Sequence, residues 1–88
     1  MTYTVVLLRE NDGRYSVSVP ALKGCHTWGE TLPEALRMAE EAIQLHLESL
    51  EAHGDPLPPD VQTVAFDLQD ATEAVVYKVS IREKATVA

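Results

Sequence analysis

The chain has 88 residues, with seven basic and 14 acidic side chains that give a formal net charge of −7 at pH 7. A chain of this length is expected to form one domain, spanning 1–88, that buries only about 60% of its unfolded surface. Its hydrophobic fraction of 45% and charged fraction of 24% are typical of soluble globular proteins. The acidic balance argues against direct binding of nucleic acid or anionic membranes and suits a basic protein partner, although an acidic surface can also serve solubility alone.

The cysteine content and the N-terminal sequence indicate the compartment. Cys25 is the only cysteine, which excludes a disulfide within the chain and favours a reducing environment. The N-terminus has no basic region ahead of a four-residue apolar run, so we expect no signal peptide. No stretch approaches the ~18 apolar residues that a membrane span requires. We therefore expect a cytoplasmic protein.

The first third of the chain predicts three short strands. Residues 3–10 are rich in β-branched side chains and lead into Asn-Asp-Gly at 11–13, a strong turn signal. Residues 15–19 then alternate between apolar and serine side chains, so the two runs predict a β-hairpin. Residues 25–28 can form a third strand, which Gly29 connects to the segment that follows.

Residues 32–53 predict one long amphipathic helix. Thr31 and Glu34 have the spacing of a capping box at its start, and Gly54 supplies the residue that ends it. Apolar and charged residues fall on opposite faces, as expected for a helix that packs on a sheet. The apolar face consists of Leu32, Leu36, Ala39, Ile43, Leu47 and Leu50, and the charged face of Arg37, Glu40, Glu41, Gln44, Glu48 and Glu51.

The segment after the helix predicts one clear strand and one optional strand. Three prolines within residues 54–59 favour an extended exit from the helix. Residues 61–68 have a blurred pattern and are either a strand or a linker, whereas 74–82 alternate clearly. The order β-β-β-α-(β)-β predicts a two-layer α+β domain, with one mainly antiparallel sheet covered on one face by a single long helix. Because one helix cannot cover both faces, an exposed apolar face or edge favours a homodimer or a higher oligomer.

The run from Tyr15 to Ala35 resembles the core signature of the HicB-like antitoxin family. It contains an aromatic strand ending in proline, then Leu-x-Gly-Cys, a polar strand ending in glycine, and Thr-Leu-x-Glu-Ala at the start of a helix. Glycine and prolines at 54–58 close the helix as in that family, and the resemblance covers residues 3–82. From their residue types we expect the signature positions to serve backbone geometry, capping and close packing rather than chemistry. These positions are Pro20, Gly24, Cys25, Gly29, Thr31, Glu34 and Ala35.

The resemblance implies a partly degraded ribonuclease-H-like module that has a partner rather than a reaction. Members of this family usually neutralise a small basic toxin, HicA, which cleaves RNA with a histidine. Many members continue into a C-terminal DNA-binding segment, whereas this chain stops at Ala88. We therefore expect a stand-alone HicB-like module with no direct DNA binding.

The residues themselves indicate no catalytic, cofactor-binding or metal-binding site. Residues 3–8, where a ribonuclease-H metal site would place a carboxylate, contain neither aspartate nor glutamate. Cys25 and His26 are adjacent in a predicted strand and point to opposite faces, which leaves His46 or His53 as a base for Cys25. His46 and His53 are two helical turns apart, too far to share a metal ion. We expect Cys25 to be a buried, unreactive thiol.

Two sets of residues are candidates for contact with a protein partner. Trp28, the only tryptophan, is either a core anchor or a contact residue. Glu40, Glu41 and Glu48 lie on the charged helix face, which is either simply solvated or a docking surface for basic side chains. The leading hypothesis is a non-enzymatic antitoxin-like module that binds a small basic HicA-type toxin and associates with itself. The alternative is an orphan homo-oligomeric scaffold or a small-ligand-binding module without a toxin partner.

Overall fold

The computed structural model describes residues 1–81, which form one four-stranded sheet and one helix. The elements are β1 (Thr2–Arg9), β2 (Tyr15–Ser18), β3 (His26–Gly29), α1 (Leu32–Ala52) and β4 (Glu73–Ser80). All three strand pairs are antiparallel, and the strand order in the sheet is β3-β2-β1-β4. The predicted two-layer α+β fold is therefore confirmed, and the predictions that concern residues 82–88 lie outside the described residues.

The ends of α1 follow from its cap residues. The Thr31 hydroxyl accepts the backbone N–H of Glu34 at 3.2 Å, and Pro33 occupies the first turn, where its missing N–H is not needed. At the other end His53 is the C-cap and Gly54 has a φ of +72°, which glycine adopts without a Cβ clash. Both bounds of the helix are therefore determined by local sequence.

The core lies between α1 and one face of the sheet. Tyr3, Val5 and Leu7 of β1 all belong to the buried cluster and share one face of the strand, since side chains alternate between faces. Gly29 lets β3 approach α1 closely, because a Cβ at this position would lie 2.5 Å from the backbone nitrogen of Ala35. The other buried members of the cluster are Val17, Val19, Leu22, Cys25, Ala35, Ala39, Ile43, Leu47 and Ile81.

Residues 61–68 form no strand, so the optional strand of the sequence analysis is absent. One edge of β1 is fully occupied, because β4 pairs with all of Thr2–Arg9. On the other edge β2 pairs only with Val6–Arg9, and the N-terminal half is met by the proline-rich exit from α1. Prolines at 56, 58 and 59 lack the N–H groups that a strand ladder requires. Contact with β1 is therefore made by side chains and single carbonyls.

Candidate interaction surfaces

Trp28 lies exposed at one corner of the sheet. It is 51% exposed, and the guanidinium carbon of Arg14 stands 5.4 Å from the centre of its ring. The carboxylate of Asp12 holds Arg14 by accepting its backbone N–H at 3.0 Å and its Nε–H at 2.8 Å. The Ser16 hydroxyl donates to Glu10 at 2.8 Å beside the ring, and these side chains line a shallow recess of about 240 Å³. One face of the indole therefore already carries a cation from the same chain.

Strand register places Trp28 on the sheet face opposite α1. Trp28 pairs with Ser16 of β2, and Ser16 pairs with Leu8 of β1. Leu8 is adjacent to Leu7, which faces the helix, so Leu8 and its cross-strand neighbours face the other way. Of the two roles that the sequence left open for Trp28, the exposure excludes the core anchor, and a contact role stays a prediction.

The solvent-facing side of α1 carries the acidic candidates. Glu40 and Glu41 are exposed, Glu48 is half-buried, and Leu45 beside them is 66% exposed. Residues four apart on a helix are neighbours, so Leu45 follows Glu41 in one row. The result is an apolar side chain with an acidic border. A shallow depression of about 510 Å³ on this face is lined by Arg37, Glu40, Glu41, Gln44, Leu45 and Glu48.

The structure does not bring the two candidate sets together. The glutamates lie on α1, which covers one face of the sheet, and Trp28 lies on the other face. A flat partner surface can contact only one of the two sets. They are therefore two separate candidate surfaces.

Cys25 and the histidines form no metal-binding cluster in the described part of the chain. Among residues 1–81, no three or more His, Cys, Asp or Glu side chains are grouped so that they could hold a metal ion. Cys25 is 5% exposed, and burial raises the pKa of its thiol, so the thiol remains protonated at neutral pH. His53 Nδ1 lies 2.7 Å from the carbonyl oxygen of Ser49, and His26 is exposed on β3.

Sequence reasoning missed a polar network on the outer face of the sheet. Asp60 accepts the backbone N–H and the hydroxyl of Thr4, each at 2.8 Å. The Lys78 ammonium donates to Asp60 at 2.9 Å and to the Thr4 hydroxyl at 2.6 Å. Burial by itself would raise the pKa of Asp60, but the hydrogen bonds from Thr4 and Lys78 outweigh it and lower the pKa to about 2. No local pattern marks Asp60, because Thr4 is 56 residues away in sequence.

These surfaces belong to a small two-layer α+β domain whose described residues contain no metal-binding cluster. In the same residues, no helix combines the length and the apolar character needed to cross a bilayer. The chain belongs to the HicB-like antitoxin family, since residues 3–85 match the family described as HicB-like antitoxin of bacterial toxin-antitoxin system. The UPF0150 protein Ta0767 of Thermoplasma acidophilum is 48% identical over 60 residues, which cover 68% of this chain and 87% of that protein.

Two solved structures have similar folds. The N-terminal domain of the Burkholderia pseudomallei antitoxin HicB matches with a TM-score of 0.67 and 28% identity, over 94% of this chain and 100% of that chain. A HicA3–HicB3 toxin–antitoxin complex contains a chain that matches with a TM-score of 0.65 and 23% identity, again over 94% and 100%. The predicted membership of the HicB-like family is confirmed, and the sheet with its single helix matches the HicB N-terminal domain.

Proposed function

We propose that this chain is a non-enzymatic antitoxin-like module that neutralises a small, basic, RNA-cleaving toxin of the HicA type by direct binding. The observation that carries the proposal is the family match over residues 3–85. Support comes from the solved complex of the related HicB3 with HicA3, and from a net charge of −7, which attracts a basic partner. The proposal includes a cytoplasmic location, in line with the single cysteine.

We assign the toxin-binding surface to the outer face of α1. Glu40 and Glu41 supply negative charge there, and Leu45, 66% exposed, supplies an apolar anchor among them. Charged borders steer a partner of opposite charge and fix its orientation, while a desolvated apolar centre contributes affinity. Trp28 is less suited to a basic partner, because the Arg14 guanidinium already stands over its ring.

Co-expression with a HicA-type toxin that arrests growth when expressed alone tests the proposal. The wild-type chain is expected to restore growth and to co-purify with the toxin in a fixed ratio. The double variant Glu40→Lys/Glu41→Lys is expected to weaken binding by about tenfold or more, since it replaces attraction with repulsion.

The control variant Asp55→Lys/Asp70→Lys changes the net charge by the same amount at exposed positions away from this face. It is expected to bind the toxin within about twofold of wild type, and the small change comes from the general loss of long-range attraction. Equal weakening by both double variants would show that only net charge matters. No restoration of growth and no co-purification would refute the antitoxin function.

A homo-oligomeric scaffold without a toxin partner is the second candidate function, and self-association is part of both proposals. It is favoured by the exposure of Val76, 48%, and Tyr77, 38%, on the edge strand β4. Purification of the tagged chain from its own cells, with mass and light-scattering measurements, separates the two. A small basic partner in stoichiometric amount supports the antitoxin, and a homo-oligomer alone supports the scaffold.

A further inference from the structure

β4 is an edge strand whose outer side has no strand neighbour among residues 1–81. It pairs with β1 on its inner side over eight residues, Glu73–Ser80, and ends the sheet order β3-β2-β1-β4. The strand contains no proline, and it carries Val76 and Tyr77 at 48% and 38% exposure. A long edge strand with exposed apolar side chains is a template for pairing with another strand. The opposite edge, β3, has only four residues and packs beneath α1 at Gly29.

The free backbone groups of β4 can be assigned from its hydrogen bonds to β1. Ile81 exchanges two bonds with Met1, its N–H donating at 2.7 Å and its carbonyl accepting at 3.3 Å. Backbone groups alternate between the two sides of a strand, so the odd-numbered residues bond to β1. The N–H and C=O groups that point away from β1 are therefore those of Ala74, Val76, Lys78 and Ser80.

The lysine on this edge strand, Lys78, has its ammonium group bonded within the same protomer. An exposed lysine on an edge strand opposes strand addition, because pairing would bury its charge. Here the Lys78 ammonium bonds to Asp60 at 2.9 Å and to the Thr4 hydroxyl at 2.6 Å, over its own sheet. The Lys78 side chain is 62% exposed, but its charge is paired with Asp60 within the protomer, which lessens its opposition to strand addition.

We propose that the free edge of β4 binds β4 of a second copy of this chain, in antiparallel register about Tyr77. This inference rests on the proposed self-association and names its surface. Tyr77 then faces Tyr77 of the second copy and Val75 faces Val79, so the central pairs on the helix side are aromatic or apolar, and Glu73 faces Ile81 at each end. On the other side Val76 faces Lys78, and each of the outward-pointing backbone groups finds a partner. The two four-stranded sheets join into one continuous sheet, with both helices on the same face.

A second copy fits this edge because the register is self-complementary. Tyr77 shares a sheet face with Val5, which packs against α1, yet it remains 38% exposed at the edge of the sheet. Two tyrosines that meet at a two-fold axis cover one another's exposed rings. The same surface is on both copies, so the contact closes as a dimer and leaves α1 free for a different partner.

Sedimentation equilibrium and light scattering of the purified chain test the pairing. The wild type is expected to show twice the monomer mass of 9.7 kDa. Val76→Pro removes an outward N–H without removing a bond to β1, and proline is tolerated at such edge positions. This variant is expected to be monomeric, with the circular dichroism of the wild type.

A charge exchange at position 77 tests the register and does not depend on proline. Tyr77→Glu and Tyr77→Lys each place two like charges opposite one another, so each variant alone is expected to be monomeric. A mixture of the two variants is expected to form a dimer again, since opposite charges then meet. Leu45→Glu and Leu45→Lys on α1 are the matched controls and are expected to leave the mass unchanged.

The outcomes separate this inference from the proposals above. A wild-type chain that stays at 9.7 kDa up to high concentration overturns both the self-association and its surface. A dimer that persists in Val76→Pro and in the single Tyr77 variants, or a mixture that fails to dimerise, overturns the β4 pairing alone. Toxin binding is measured with a different partner and stands or falls separately.

Discussion

Asp60 holds Thr4 through both carboxylate oxygens, Oδ1 accepting the backbone N–H and Oδ2 the hydroxyl, each at 2.8 Å. The Thr4 N–H points to the edge of β1 that β2 leaves open, since β2 pairs only with Val6–Arg9. Thr4 is 1% exposed, so water cannot easily serve this donor. A single carboxylate thus replaces a strand neighbour and ties the exit of α1 to the sheet.

Loss of the Asp60 carboxylate is expected to destabilise the fold. Asp60→Ala leaves the buried Thr4 N–H without its partner, and we expect the free energy of unfolding to fall by ~1.5–3 kcal/mol. Urea unfolding at neutral pH measures the change. Asp55→Ala, an exposed aspartate in the same segment, is the control and should change stability by less than about 0.5 kcal/mol. Equal stability of both variants would contradict the role given to Asp60.

The same carboxylate makes part of the stability depend on pH. The pKa of Asp60 is lowered from 3.8 to about 2 in the folded chain, so the unfolded chain binds the proton more readily. The contribution of Asp60 to the free energy of unfolding is complete above the unfolded pKa. It is lost as the pH falls from about 4 through about 2, and the total loss is up to ~2 kcal/mol. Unfolding of wild type and Asp60→Ala across this range should show their difference shrinking, and a constant difference would refute the assignment.

The contact between β3 and α1 has no room for a side chain at Gly29. A Cβ there would meet the Ala35 backbone at 2.5 Å, so the first turn of α1 must move in Gly29→Ala. We expect a loss of ~1–3 kcal/mol in thermal or urea unfolding, as for other overpacked sites. Gly54→Asn is the control, because Gly54 has open space and asparagine tolerates its positive φ. A neutral Gly29→Ala would show that the helix adapts freely.

Trp28 should be dispensable for a partner that docks on the outer face of α1. Trp28 and the helix lie on opposite faces of the sheet, so Trp28→Ala is expected to leave toxin affinity within about twofold of wild type. Its stability should fall by less than ~1 kcal/mol, since the contact with Arg14 is exposed. Titration calorimetry and thermal unfolding measure the two quantities. A large loss of affinity would show that the toxin reaches round the β3 edge.

The local patterns of the sequence were sufficient for the helix and the strand order along the chain. A cap at Thr31, a glycine at 54 and one apolar face defined α1. The third strand was predicted at 25–28 and lies at His26–Gly29, because the Cys25 N–H bonds to the Leu22 carbonyl at 3.0 Å and closes a turn. Shifts of this size arise where a turn and a strand compete for the same backbone group.

The features that sequence reasoning left open or missed depend on contacts between distant residues. Whether 61–68 forms a strand depends on which edges of β1 are free, and β4 occupies one of them completely. Asp60 is important only because β1 extends beyond β2 at Thr4. Likewise, the separation of Trp28 from the acidic helix face follows from pairing across three strands, which no single segment reveals.

The strands of the sheet do not pair in the order in which they are synthesised. β1 and β4 are neighbours, yet β1 is the first element of the chain and β4 is the last of the described elements. On the ribosome, β1, β2, β3 and α1 can assemble while one edge of β1 still awaits its strand. During this interval the unpaired edge of β1 can also pair with β4 of a neighbouring nascent chain, but the chain's own β4 is tethered and therefore present at a higher effective concentration. Spacing between copies during translation is thus expected to change how often β4 is exchanged.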